Sequence, residues 1–124
     1  MAVKFYDPSK RGVGKFMRFD ASSNLLISRT CWEEFFGPSI RYMRLGWDQE
    51  HRQLVIQLFE AAASKCLKVT TSKGGHKISA QGFVKEFGLE WLRGKRLVAE
   101  LIKKEGGFVI IDCRAIRAEA QRKQ

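Results

Sequence analysis

The sequence predicts an α+β fold in which two β-β-α-β-β units share one interior, as a single pseudo-two-fold β-barrel or sheet domain with two short helices. Three observations predict it. Ile27-Ser28, Trp32, Phe36 and Gly37 recur as Ile78-Ser79, Phe83, Phe87 and Gly88, all 51 residues apart. Each copy opens on a short polar-to-apolar stretch, Ser23 to Ile27 and Gly74 to Ile78, and closes on a hairpin pattern. The chain has 124 residues and is 44% hydrophobic, which suits one ordinary domain whose halves share a core.

Residues 1–14 carry Pro8, Gly12 and Gly14 with few apolar positions, so they read as an arm, made basic by Lys4, Lys10 and Arg11. The duplicated domain is expected over 15–113, with repeat one at 15–60 and repeat two at 66–113. Lys15 to Asp20 predicts a strand, Ala21 to Asn24 a turn, and Leu25 to Ser28 the second strand of a hairpin. Thr30-Cys31-Trp32-Glu33 fits a capping box, and Gly37-Pro38 limits the helix that follows to about two turns. Trp32 and Phe36, four apart, share its buried face. Ile40 to Asp48 and Gln53 to Glu60 read as strands around the turn Gln49 to Arg52, and Ala61 to Lys65 as the seam between repeats.

In the second repeat, Cys66 to Ser72 and Lys77 to Ser79 flank the turn Lys73-Gly74-Gly75. Ser79 is placed to cap a short helix carrying Phe83 and Phe87, and Gly88 to stop it. Lys95 to Lys104 and Phe108 to Cys113 form the last hairpin across Glu105-Gly106-Gly107, where glycine supplies the positive φ a tight turn needs. The basic, Ala-rich stretch 114–124 reads as a tail outside the core.

No apolar run approaches the roughly 20 residues of a membrane span, and the start of the chain lacks the apolar centre of a signal peptide, so a cytoplasmic protein without membrane contact is expected. Cys31, Cys66 and Cys113 are odd in number and far apart, which points to reduced, mostly buried thiols rather than disulfides or zinc. His51 and His76 have no ligand-spaced partners in sequence and read as surface or structural residues, so no metal and no cofactor is expected. The formal charge of +10 favours polyanionic partners. It is uneven: 1–62 hold 9 basic and 7 acidic residues, 63–124 hold 14 and 6.

A strand pair ending in a small polar residue, one short helix closed by Gly, and a β-hairpin resemble the swapped-hairpin superfamily of AbrB, SpoVT and the MazE antitoxins. The stretch Gly75-His76-Lys77-Ile78-Ser79-Ala80-Gln81-Gly82-Phe83-Val84-Lys85-Glu86-Phe87-Gly88-Leu89 with Gly94 to Asp112 carries that resemblance best. Two units in one chain are similar to the tandem arrangement of MraZ. The resemblance implies a DNA-binding regulator. It departs from the family at Ser23-Asn24 and Gly74-Gly75, where a Gly-Arg pair is usual, and at Ser28 and Ser79, where Pro is usual. Read from Ile40 through Gly88, four strands and a helix also resemble half of the Whirly and PUR group of single-stranded nucleic-acid binders.

The expected function is therefore a non-catalytic nucleic-acid-binding protein, with duplex DNA favoured, acting as a regulator or architectural protein. The candidate phosphate contacts are Lys68, Lys73, Lys77, Arg93, Lys95 and Arg96 around the turns of repeat two, with Arg18, Arg29, Arg41 and Arg44 as counterparts in repeat one. Arg41 and Arg44 differ in strand parity, so they serve different faces. The alternative, binding of single-stranded DNA or RNA, needs aromatic faces among basic groups on a sheet, and Tyr42, Trp47 and Trp91 are the candidates. Trp32, Phe36, Phe83 and Phe87 read as core from their spacing of four. A third class is an interaction or assembly role, in which Gln53 to Glu60 and Phe108 to Cys113 serve a homo-oligomer. Catalysis lacks a pattern: Glu33 and Glu34 are helix neighbours rather than a facing pair, and Arg11-Gly12-Val13-Gly14-Lys15 lacks the context of a phosphate loop.

Overall fold

The computed structural model describes residues 15–72, 75–114 and 116. The arm 1–14, Lys73 and Gly74 of the predicted turn, and nearly all of the tail lie outside the described residues. The elements run β1 (Phe16–Phe19), β2 (Asn24–Ser28), α1 (Arg29–Phe35), β3 (Tyr42–Asp48), β4 (Gln53–Phe59), β5 (Leu67–Lys68), β6 (Thr70–Ser72), β7 (Gly75–Ser79), α2 (Gln81–Phe87), β8 (Leu97–Val98), β9 (Ile102–Glu105) and β10 (Phe108–Asp112). Single 3₁₀ turns stand at Glu90–Leu92 and Ala99–Leu101. The strands form two antiparallel five-stranded sheets, ordered β6-β7-β2-β1-β8 (sheet one) and β5-β3-β4-β10-β9 (sheet two).

Period-two alternation decides the inward faces. From sheet one, Met17, Phe19, Leu25, Ile27, Ile78 and Leu97 are buried; from sheet two, Met43, Leu54, Ile56, Ile102, Val109 and Ile111. All belong to one hydrophobic cluster, which also takes Trp32, Phe35 and Phe36 from α1 and Val84 from α2. Each fully buried side chain of this size contributes about 1.5–3 kcal/mol relative to exposure, so the shared interior is the main source of stability. At the centre of sheet one, β2 pairs with β7 so that Leu26 stands opposite Lys77. In sheet two, β4 pairs with β10, and Gln57 stands opposite Phe108. Both opposed pairs are themselves 51 residues apart in sequence.

The expected barrel-or-sheet domain takes the form of two sheets rather than a closed barrel. The predicted strand Cys66 to Ser72 breaks at Val69 into β5 in sheet two and β6 in sheet one, and Lys95 to Lys104 breaks at Ala99–Leu101 into β8 and β9. The chain thus changes sheet at two bends. Gly106 takes φ 59° in the β9–β10 turn, as its tight geometry requires.

The helix caps differ from the sequence pattern. The cap of α1 is Ser28, not Thr30: its hydroxyl accepts from the Cys31 backbone N–H at 3.3 Å and from that of Phe16 at 3.2 Å. Ser28 ends β2 and already faces the helix start, so α1 begins two residues early. Ser79 does not cap α2; Ala80 holds that position without a side-chain bond, and Ser79 is exposed on the outward parity of β7. Gly88 does close α2, in the left-handed region at φ 63°. Phe87 is not core: it is 41% exposed, because Val84 and Leu89 fill the space beneath α2, while half-buried Phe83 touches its ring at 5.3 Å.

Candidate nucleic-acid interface and adjoining cavity

The outer face of sheet one gathers several predicted cations. Arg18 stands opposite Leu26, Leu26 opposite Lys77, and Lys77 opposite Thr70, which makes one row across four strands. Arg18 and Lys77 are exposed, because their neighbours Met17, Phe19 and Ile78 take the inward parity. Arg96 joins them by lying over the ring of outward-facing Phe16, its guanidinium carbon 4.4 Å from the centroid. Arg93 is held at the tip of the β1–β2 hairpin, where its Nε donates to Ser23 Oγ at 2.8 Å. The carboxylate facing this row is Asp20: burial pushes it up, but hydrogen bonds from Asn24 and Ser22 and the charge of Lys77 outweigh this and hold it below its ordinary value. Lys15 at the same end is paired with Glu34.

The outer face of sheet two is different in kind. Tyr42, Arg44 and Gly46 of β3 oppose Phe59, Gln57 and Val55 of β4, and β10 adds Phe108 and Ile110. Lys68 stands beside Tyr42, and Lys103 beside Ile110. Phe108 is 39% exposed, and a shallow depression lies between it and Arg44, Gly46, Val55 and Gln57. Lys103 is paired with Glu105 at 3.0 Å. This face carries aromatic and aliphatic groups among scattered charges, where the face of sheet one carries Arg18 and Lys77 among Phe16, Leu26, Thr70, Ser79 and Val98. Phe59 and Phe108 escape the sequence reading because both sit in nearly continuous apolar runs; the signal was Gln57, whose polarity marks the outward parity of β4.

Other predicted residues fall elsewhere. Trp91 is not a free stacking surface. It packs edge-on against Trp47, centroids 6.1 Å apart, under the Arg52 guanidinium at 4.8 Å. Trp47 faces inward against the core and donates its Nε1–H to Gln49 at 2.8 Å. Lys95 is half-buried. His51 has a partner after all, the Asp48 carboxylate at 2.9 Å, and this closes the β3–β4 turn. Lys73 lies outside the described residues.

Arg29 and Arg41 lie apart from both faces, on a cavity of about 700 Å³ beside α1. Trp32, Glu33, Pro38, Ile40, Val69, Thr71 and His76 complete its wall. The His76 ring lies on Trp32 at 3.9 Å and 10°, and Phe36 lies on Trp32 at 4.8 Å and 2°. Arg41 is braced by Nη1–H donating to the Pro38 carbonyl at 2.6 Å. Burial, then the charges of Arg29 and Arg41, hold His76 below its ordinary pKa. Its Nδ1 is shut from solvent without a partner among the described residues, so a charged ring would bury an unsatisfied donor.

Cys31 and Cys113 are buried thiols, pushed up by that burial to about 12 and about 11. Among the described residues, no group of three His, Cys, Asp or Glu could hold a metal ion, and no helix is long and apolar enough to cross a membrane. Comparison with known proteins finds no matching family model, no matching curated protein and no matching solved structure.

Proposed function

We propose that this is a non-catalytic nucleic-acid-binding protein that docks duplex DNA, as a regulator or architectural protein, on the outer face of sheet one. The observation that supports it is the row Arg18–Leu26–Lys77, with Arg96 over the outward ring of Phe16 and Arg93 at the tip of the β1–β2 hairpin. Arg18 and Lys77 on the sheet face, with Arg96 beside them and Arg93 at the hairpin tip, outnumber the neighbouring carboxylates Asp20 and Glu100 and suit the regular phosphates of a duplex, and phosphate contacts dominate such affinity. The overall +10 acts in the same direction by raising the rate of encounter. In this reading the chain is two diverged β-β-α-β-β halves, similar to a tandem swapped-hairpin arrangement. The 51-residue separation of the facing residues Leu26 and Lys77 supports that origin.

The test is a titration of labelled duplex DNA across a salt series. Four phosphate contacts give a slope of log affinity against log salt of about −3.6. Replacing both Arg18 and Lys77 by Ala should reduce it by about 1.8. An unchanged slope and affinity in that variant would remove sheet one as the docking face.

A second reading is favoured by the aromatics of sheet two. Tyr42, Phe59 and Phe108 among Arg44, Lys68 and Lys103 form a surface on which unpaired bases stack, at about 1–3 kcal/mol per base. Matched single-stranded DNA and RNA distinguish the two. Tighter binding of single strands than of duplex, lost on Phe108→Ala and kept in the Arg18/Lys77 variant, selects sheet two.

A further inference from the structure

The cavity beside α1 takes part in neither docking face, and its wall is selective in three respects. First, two rings cannot both lie flat on one side of an indole at the observed separations, so Trp32 is the middle of a stack running Phe36–Trp32–His76. His76 is the terminal ring, and it lines the cavity. Second, two guanidinium groups, Arg29 and Arg41, face one carboxylate, Glu33, so the wall carries a net positive charge. Arg41 is braced against the Pro38 carbonyl, so little side-chain freedom remains to be lost on binding. Third, Ile40, Val69 and Pro38 give an apolar floor, and Thr71 adds a hydroxyl. A volume of about 700 Å³ lies within the range of about 300–1,000 Å³ found for ligand clefts.

We infer that this cavity binds a small organic anion built on a flat ring, with the ring continuing the stack beyond His76 and the anionic group held between Arg29 and Arg41. The neutral imidazole presents a face without charge to the ring. The guanidinium fork matches carboxylate or phosphate geometry. Glu33 and Thr71 serve a ring edge that carries donors. A mononucleotide has all of these parts, and two sources supply it: a free nucleotide, or the phosphorylated end of a short strand. The site does not depend on either docking face.

The experiment titrates the intact protein with adenosine monophosphate, adenosine, inorganic phosphate and a 5′-phosphorylated tetranucleotide, followed by calorimetry and tryptophan fluorescence. Saturable binding of the monophosphate is expected, with adenosine and phosphate each weaker by about tenfold or more, since each lacks one half of the recognition. Arg41→Ala should weaken the monophosphate by at least about tenfold, while Lys77→Ala leaves it unchanged. Arg41 is exposed, so this variant keeps its fold, and circular dichroism checks it. If the tetranucleotide binds more tightly than the monophosphate with the same sensitivity to Arg41→Ala, the strand end is the source. No saturation by either below about 1 mM overturns the inference. So does binding that ignores Arg41→Ala, or inorganic phosphate binding as tightly as the monophosphate. Loss in Lys77→Ala alone assigns the binding to the docking face and overturns it as well.

Discussion

Gly75 stands at the end of the β2·β7 ladder in sheet one, and substituting it tests how rigid that junction is. It starts β7 opposite Ser28, with φ 151°, a conformation that side chains rarely adopt. A Cβ there would lie 2.1 Å from the Ile27 carbonyl oxygen and 3.2 Å from the Arg29 amide nitrogen. Both are backbone atoms, so no rotamer change relieves the contact, and β2 and β7 must separate. Strain of about 1–3 kcal/mol from the dihedral combines with the weakening of one or two ladder hydrogen bonds at about 1 kcal/mol each. Gly75→Ala should therefore cost about 3 kcal/mol or more, a fall of about 10–15 °C in Tm for a domain of this size. The same change at Gly82, where a Cβ meets nothing within 4 Å in the first turn of α2, should instead add about 0.5 kcal/mol. Urea and thermal unfolding of both variants measure the contrast. A loss below about 1 kcal/mol in Gly75→Ala would refute the reasoning, because it would show that the β2·β7 junction yields easily. The cavity depends on the same junction, since Ile27–His76 pairing sets the ring on Trp32.

Three further outcomes follow from the geometry. Ellman's reagent should titrate Cys66 readily in the folded protein, while Cys31 and Cys113, buried and held to about 12 and about 11, react only on unfolding. Trp91→Ala should lower stability by about 2 kcal/mol, seen in urea unfolding, and leave the salt slope for DNA unchanged, since the ring is packed on Trp47 and Arg52. His76 is depressed in the folded state, so the unfolded chain takes up its proton first as pH falls; stability present above pH 6.5 is lost below it, and His76→Phe should flatten that part of a Tm-against-pH profile.

The strands of the first half were legible as apolar runs bounded by turns, and in β4 only Gln53 and Gln57 mark which parity faces out while Leu54 and Ile56 face the core. The cap of α1 was less so, because Ser28 and Thr30 both satisfy the local rule and only the position of β2 decides between them. Phe87 was misplaced for a similar reason: a spacing of four shows that it shares a face with Phe83, not that Leu89 already occupies the space below. The breaks at Val69 and Ala99–Leu101 leave no local mark, since they arise where a strand must leave one sheet for the other. At the candidate sites, the charges of Arg18, Lys77 and Arg96 were visible in the sequence. Their convergence was not, because it is created by the pairing of β1 with β2, of β2 with β7 and of β1 with β8, across up to about two thirds of the chain. The Trp32–His76 stack was hidden for the same reason, as each residue alone reads as structural.

Under the proposed duplication, the wall of the cavity can be compared with the matching positions of the other half. Of the β2·β7 partners only Leu26 and Lys77 are 51 residues apart, so under the proposed duplication they mark a local two-fold axis that assigns each cavity residue a counterpart 51 positions away. Opposite numbers to Arg29, Glu33 and His76 are Ala80, Val84 and Leu25, and all three are buried apolar residues. In that reading these three positions are packed in the other half, whereas Asp20 and Arg18, the counterparts of Thr71 and Val69, remain polar and at least partly exposed. The cavity side has charged and polar groups at the same three positions and an opening in place of the core. Polar groups around an opening cost stability unless something satisfies them. The charge follows the same logic at the central pair, where Leu26 is neutral and Lys77 is not. A symmetric pair of halves would present two equivalent surfaces. Under the proposed duplication, divergence at these positions gives instead one basic face and one cavity, each built from residues of both halves.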